Sequence, residues 1–423
     1  MKILMSAYAS NPGRGSEDGK GWNFPLNVAK LGHEVWVLTS PFTASYKNNK
    51  SSIEEALRDN PLPNLHFVYV DIQALLKRLI NIKEDRISNK VGVYLHYLLW
   101  QKKAYKVAEG LNLKHDFDVI HHVNYGSLVF GSELWRVNKP FIFGPVGAGQ
   151  TAPPAFKDFF LDAWKAEERR SFMVKNLARF NFIAARTVKN ADLVLIENRE
   201  TLDLLNKMGG AKRTKPHLSC GLPPEYFSKD FPIREPSTVL RLLWVARLSP
   251  RKGLRLALQA LAAVKSTVFY KMTILGDGPL KPHISAWLQE FQLEDKVEYR
   301  GYLPWLKVKE EYLQNDVFLF SSLRDTFGSQ LLEAMAHGLP IIALDHHGAR
   351  DFLPSTVAIK VPAKDPNETV QKMAQAVEYM FENPEKRIEM GKAGFLFVKS
   401  FSWEEKAKSM AAFYEEVKDK GTS

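Results

Sequence analysis

Only one cysteine, Cys220, stands among the 423 residues. An internal disulfide framework is therefore excluded, a reducing compartment is expected, and Cys220 itself reads as a small buried apolar residue. No stretch of about 18 apolar residues occurs, so no transmembrane helix is expected. The opening MKILMSAYASNPG lacks a basic region followed by a long apolar core, and no signal peptide is expected. The expected location is the cytoplasm, free or peripheral on the inner face of the membrane. No H-E-x-x-H, no cysteine cluster and no strand-end D-x-D is present, so the expected site uses no metal and no organic cofactor. A groove-reading motif is missing too, which removes nucleic acid as a partner. Low-complexity segments and short repeats are likewise absent.

What is present is a large apolar complement, 45% hydrophobic with 12% aromatic residues, enough for two or three cores. Net charge is +11. Residues 75–114 carry nine Lys/Arg against three Asp/Glu, and residues 157–190 carry eight against four, so these two stretches hold nearly all of the excess. Both interleave cations with Trp, Phe, Tyr and Leu. One reading is a pair of amphipathic helices with solvated basic faces; the other is a basic rim meeting an anionic membrane surface or a phosphate-bearing acceptor.

Apolar, β-branched runs alternate with helical patterns along the chain. KILMSAY, HEVWVLTS, LHFVYVD, FDVIHHV, KPFIFGPV and ADLVLIEN form one series of expected strands; LRLLWVARL, YKMTILG, KVEYRGYL, VFLFSS and PIIALDH form a second. Continuous apolar strands with helices between them imply α/β architecture with two doubly wound parallel sheets. SKDFPIREPST, residues 228–238, reads as the linker. Such sheets bind ligands at the carboxyl ends of their strands, and two facing sheets would enclose a ligand in a cleft.

The informative stretch is LRDTFGSQLLEAMAHGLP, residues 323–340, where two acids, Asp325 and Glu333, flank the start of a helix after VFLFSS. The amides near Phe327, Gly328 and Ser329, with the helix dipole, favour a phosphate, whereas carboxylates repel one. Both acids fit if they grip diols on either side of a diphosphate. Arg247 and Lys252, in WVARLSPRKGL, end a strand and could neutralise that diphosphate. Gly276 and Gly278 lie in ILGDGPL, a strand-to-glycine turn without a third glycine, and Tyr302 follows in RGYLP. In the first series, NPGRGSEDGKGWN is a glycine-rich loop containing Gly15, and DVIHHVNYG ends a strand with His121 and His122. Strand alternation allows only one of the two histidines to face the carboxyl-edge site easily.

Together these stretches resemble the family 4 glycosyltransferases, a retaining group with the GT-B fold of two Rossmann-like domains facing across a cleft. The family's E-x7-E signature stands here as D-x7-E, Asp325 to Glu333. Its R…K pair corresponds to Arg247 and Lys252 in ARLSPRKG, and LGDGPL, RGYLP and the first glycine-rich loop also match. The resemblance implies an acceptor-binding domain over 1–227, a donor-binding domain over 228–400, and a C-terminal helix, 401–423, crossing back to the first domain. By the same resemblance, a nucleotide-sugar donor gives its sugar to a glycan or lipid-linked acceptor. Glu333 would hold the ribose and Asp325 the sugar hydroxyls; Arg247 and Lys252 would hold the diphosphate with the amides of Gly328 and Ser329. Gly276, Gly278 and Tyr302 would border the base, Gly15 would approach from the other domain, and His122 would contact donor sugar or acceptor, with His121 the alternative. Two departures stand out: aspartate replaces the first signature glutamate, and HHVN replaces the family's H-x-H. They keep a non-catalytic sugar-nucleotide binder in view, and a nicotinamide-dependent oxidoreductase is the more distant alternative.

Overall fold

The computed structural model describes residues 1–13, 15–42, 49–72, 90–177, 180–234 and 237–421. It falls into two compact units: Met1–Gly149 with Lys175–Cys220 and Trp403–Ser423, and Gln150–Val174 with Gly221–Ser402.

In the first unit the strands are β1 (Lys2–Ala7), β2 (Glu34–Thr39), β3 (Leu65–Tyr69), β4 (Val119–Asn124), β5 (Phe141–Val146), β6 (Leu193–Ile196) and β7 (Thr214–Pro216). They pair in the order β3-β2-β1-β4-β5-β6-β7, with parallel register throughout. The six apolar runs of the first series account for β1 to β6; β7, TKP, carries no apolar signal. Trp403, Ala407, Met410, Tyr414 and Val417 recur every three or four residues along the helix Trp403–Gly421 and enter the same core as Phe24 and Val28. Trp403 meets the Phe24 ring edge-on at 5.1 Å, and Lys406 Nζ donates to the Leu218 carbonyl at 2.7 Å.

The second unit holds β8 (Leu240–Val245), β9 (Tyr270–Leu275), β10 (Val297–Gly301), β11 (Val317–Phe320), β12 (Ile341–Leu344) and β13 (Ala358–Val361), ordered β10-β9-β8-β11-β12-β13. Counted from its own first strand this is the 3-2-1-4-5-6 order of a doubly wound sheet. The order reverses between β8 and β11, which run parallel with Leu242 opposite Val317. A ligand crevice is expected outside the carboxyl ends of those two strands.

Two expectations need adjustment. Residues 150–174 cluster with the second unit although they precede residue 227. The reason is apolar: Phe156, Phe159 and Phe160 are buried with Leu240, Trp244 and Leu256 in that unit's core. Nor do residues 157–190 form one amphipathic helix. They run through a 3-10 stretch Pro154–Ala163, a helix Trp164–Phe172, a π turn Met173–Leu177 and a helix Phe182–Asn190, and they divide between the units. Of the other basic stretch, 73–89 lies outside the described residues, and the remainder belongs to the helix Lys90–His115. Among the described residues no helix is long and apolar enough to cross a membrane.

Candidate active site

The loop after β8 and the loop after β11 are stitched together. The Leu323 amide donates to the Arg251 carbonyl at 2.9 Å, Ser321 Oγ to the Lys252 carbonyl at 3.1 Å, and the buried Trp244 indole to Ser321 Oγ at 3.1 Å. Gly253 makes this approach possible: its φ is +69°, and an added Cβ would lie 2.1 Å from the Ser321 carbonyl oxygen. The turn therefore carries Lys252 to the switch point in a fixed orientation.

Lys252 is buried, 6% exposed, and its ammonium is in close contact with the Asp325 carboxylate. Burial lowers the Lys252 pKa, and Asp325 opposes that shift. Arg251 Nη1 approaches the other Asp325 oxygen at 3.7 Å. Arg247, on the same loop, is exposed and forms no ion pair among the described residues. A cation with no carboxylate partner at the end of a central strand remains available for an anionic ligand.

Glu333 lies on the helix Ser329–Ala336, whose N-cap is Gly328. Tyr312 donates its hydroxyl to Glu333 Oε2 at 3.0 Å, and the Ser329 side chain also bonds the carboxylate. Burial raises the Glu333 pKa, with those two hydrogen bonds opposing. Tyr312 stacks on His337 at 5.3 Å, and Tyr226 stacks on Trp305 at 4.5 Å while its own pKa is raised by burial and by the Glu333 charge. Glu333 is thus a positioned acceptor beside an aromatic wall. The Leu331 amide donates to the Gly328 carbonyl at 3.0 Å, and the amides before it, at the positive end of the helix dipole, are of the kind that bind an anion. Phe327 contributes backbone only; its ring is 4% exposed and packs edge-on against Phe352.

Gly276 and Gly278 follow β9 at the same carboxyl edge, and Tyr302, 75% exposed, follows β10. Gly276 has a structural reason as well: at φ +133° its Cβ would lie 1.9 Å from the Ala246 carbonyl oxygen.

The remaining candidates belong to the first unit. His121 and His122 are both fully buried on β4. His121 Nε2 lies 2.6 Å from the Gly144 carbonyl, which can only accept, so Nε2 carries the proton and Nδ1 accepts from the Tyr414 hydroxyl at 2.7 Å. His121 is tied to the C-terminal helix. His122 faces the opposite side, with Nε2 3.3 Å from the Tyr125 carbonyl, and its Nδ1 has no hydrogen-bond partner among the described residues. Burial depresses both imidazoles to about 4, leaving them neutral. Asn124, two residues further along the strand, clamps the glycine-rich loop through the Ala9 and Glu17 carbonyls at 2.7 and 2.8 Å. Gly15 is the N-cap of the helix Ser16–Lys30, with open space where a Cβ would be.

Residues 227–414 match the family model described as glycosyl transferases group 1. That segment is similar to the glycosyl transferases of group 1. WcaL of Escherichia coli K12, named as a colanic acid biosynthesis glycosyltransferase, is 31% identical over 194 residues, 44% of this chain and 48% of its own. This chain therefore spans about half the length of that curated relative. Solved structures similar over 98% of this chain include sucrose-phosphate synthase from Thermosynechococcus elongatus, at 18% identity, TM-score 0.65 and 98% of its own chain. Another is Anabaena HepE in complex with UDP, at 16% identity, TM-score 0.63 and all of its chain. The fold is GT-B. Within the group 1 domain, the sequence pattern pointed to Lys252, Asp325 and Glu333 but missed Tyr312, Tyr226, Arg251 and Arg324. Arg251 and Arg324 each stand one residue before a candidate, so a charge pattern was available; nothing local connects Tyr312 with Glu333.

Proposed function

We propose that this protein is a retaining glycosyltransferase that moves a sugar from a nucleoside-diphosphate sugar to a hydroxyl of a glycan or lipid-linked acceptor, in polysaccharide or glycoconjugate synthesis. The observation that carries this reading is the Lys252–Asp325 pair at the β8/β11 switch point, with Glu333 held by Tyr312 on the adjoining helix. A diphosphate placed at the first turn of that helix meets Arg247 and Lys252, which stabilise the departing nucleotide's charge. Lys252 exchanges Asp325 for the diphosphate, and the freed carboxylate accepts hydroxyls of the sugar. Glu333 accepts the ribose diol, and Gly276, Gly278 and Tyr302 border the base. His122, neutral and with Nδ1 open, is assigned to the transferred sugar or the acceptor, and Gly15 to the phosphate or sugar. The acceptor hydroxyl attacks on the face from which the nucleotide leaves.

In this reading the two cations do the work that a divalent metal would otherwise do, and activity survives a chelator. An oxidoreductase is disfavoured because the first βα turn of each sheet, ARLSPRKG after β8 and YASNPGRGSEDG after β1, departs from the dinucleotide fingerprint. Contact with anionic lipid through 75–114 and 157–190 is also part of the proposal, and salt-sensitive pelleting with anionic but not neutral vesicles tests it.

The decisive experiment is a panel of nucleotide sugars scored by thermal stabilisation, followed by transfer or slow donor hydrolysis with the best one. Glu333→Ala and Lys252→Ala are expected to remain folded and lose turnover. Full activity in either variant overturns the assignment; tight donor binding with no turnover in the unaltered protein makes it a sugar-nucleotide binder.

A further inference from the structure

Beside the Lys252–Asp325 pair lies a larger group of charges, much of it supplied by the segment that packs into the second unit ahead of residue 221. Glu167, on the helix Trp164–Phe172, is buried and forms an ion pair with Arg324, Nε to Oε1 2.7 Å; Arg170 Nη1 stands 3.7 Å from the same oxygen. Arg170 also donates to the Gln150 carbonyl at 2.9 Å, and the Gln150 amide bonds the Thr326 hydroxyl next to Asp325. Arg251 donates to the Arg324 carbonyl at 3.1 Å while approaching Asp325 at 3.7 Å.

These contacts join four cations, Arg170, Arg251, Lys252 and Arg324, to two carboxylates, Glu167 and Asp325. Two positive charges are left over. Burial, then repulsion from Arg324, pulls the Arg170 pKa down to about 10, with Glu167 opposing and Arg251 adding to the repulsion. Arg324 is lowered by burial as well, with Glu167 opposing and Arg251 repelling. Like charges gathered this closely are costly unless an anion joins them. The guanidinium forks can be reached: the Arg170 and Arg251 side chains are 34% and 33% exposed, whereas that of Lys252 is 7% exposed.

We propose that Arg170, Arg251 and Arg324 form a second anion site, adjoining Asp325, that takes a phosphate group carried by the acceptor. This rests on the donor reading, which commits Arg247 and Lys252 to the diphosphate and Asp325 to the transferred sugar. An anion held by residues touching Asp325 sits beside that sugar, where the attacking molecule must enter. Guanidinium forks suit phosphate oxygens in pairs, and a doubly charged phosphate monoester matches the surplus of two.

Calorimetric titration of the full chain with inorganic phosphate and with glucose 1-phosphate, each with and without saturating UDP, tests this. Both probes are expected to bind with UDP present, glucose 1-phosphate at least threefold tighter. Arg170→Gln should weaken both about tenfold while moving UDP affinity less than threefold. Should Arg324→Gln unfold the protein by stranding Glu167, the pair Glu167→Gln with Arg324→Gln removes both charges and is expected to reproduce the loss. Unchanged phosphate binding in Arg170→Gln overturns the proposal. So does strict competition between phosphate and UDP, which would make the cluster part of the donor site, and so do equal affinities for the two probes, which would mark a free-phosphate site. If UDP fails to bind while the phosphate results hold, the donor reading falls and the anion site stands.

Discussion

Two sheets of the same winding order carry opposite chemistry at their switch points. Between β1 and β4 the strand ends present His121, His122 and Asn124, all buried and all uncharged. Between β8 and β11 the ends present Arg247, Lys252 and Asp325, charged groups that are exposed or paired. Topology decides where a ligand can sit; whether burial is met by neutralisation or by pairing decides what kind of ligand it is. The first sheet's solution suits hydroxyls, the second a diphosphate.

The sharpest way to break this contrast is at Lys252. On the proposed donor site, Lys252→Met should weaken binding of UDP, used as the diphosphate probe, about 100-fold, roughly 3 kcal/mol, because the buried charge assigned to the diphosphate is removed. It should also lower stability, since Asp325 loses its ammonium partner. Adding Asp325→Asn should restore stability without restoring binding, a separation readable by paired denaturant melts and UDP titrations. Recovery of UDP affinity in the double variant would show that Lys252 serves only Asp325.

Glycines extend the comparison to the backbone. Gly276→Ala must adopt φ +133° and place a methyl 1.9 Å from the Ala246 carbonyl oxygen, so a stability loss of about 3 kcal/mol is expected. Gly15→Ala meets no atom within 4 Å and should cost about 0.5 kcal/mol, the difference between glycine and alanine at an N-cap. Equal losses in urea melts would mean that the two glycine turns are built alike.

The histidines differ in a subtler way. His121→Ala removes the anchor for Tyr414 and should cost about 2 kcal/mol of stability with UDP affinity intact. His122→Ala should lower turnover 10- to 100-fold, again without changing UDP affinity. A stability loss confined to His122→Ala would reverse the two assignments.

Much of this was legible in the chain. Strands buried on both faces announce themselves as apolar runs, so most of β1 to β6 and β8, β9, β11 and β12 could be read directly, and the edge strand β10, VEYRG, from its alternation, whereas TKP of β7 and AIKV of β13 are too short or too mixed. Lys252, Asp325 and Glu333 stood out because charges beside strand ends are conspicuous. The Tyr312–Glu333 bond was not legible, because a 21-residue separation is closed only by the sheet. The same applies to Glu167: its surroundings looked like a basic helix face, and only Phe156, Phe159 and Phe160 entering the second core bring it to Arg324. Strand alternation said that the two histidines would part company but could not say which way each would turn.

The smallest effect separates the two regions by proton affinity. Glu333 must be ionised to accept two hydroxyls, and its pKa lies above the usual 4.5, so UDP affinity should fall with decreasing pH in a window beginning above 4.5. Lys252 must be protonated, and its pKa lies below 10.5, so affinity should also fall on the alkaline side before pH 10.5. The first unit responds differently. His121 and His122 bind protons at 6.5 when unfolded and at about 4 when folded, so acidification below 6.5 feeds protons to the unfolded chain and stability drops toward pH 4. Both events fall in acid, and Glu333→Gln distinguishes them. It should flatten the acid limb of UDP binding, measured by calorimetry from about pH 5 upward, while the acid loss of stability in urea melts persists and deepens slightly, because a carboxyl whose raised pKa favours the folded state in acid is gone. If the variant keeps the full acid limb, proton uptake by the first unit, not ribose recognition by Glu333, controls binding, and the division of chemistry between the two sheets fails at that point.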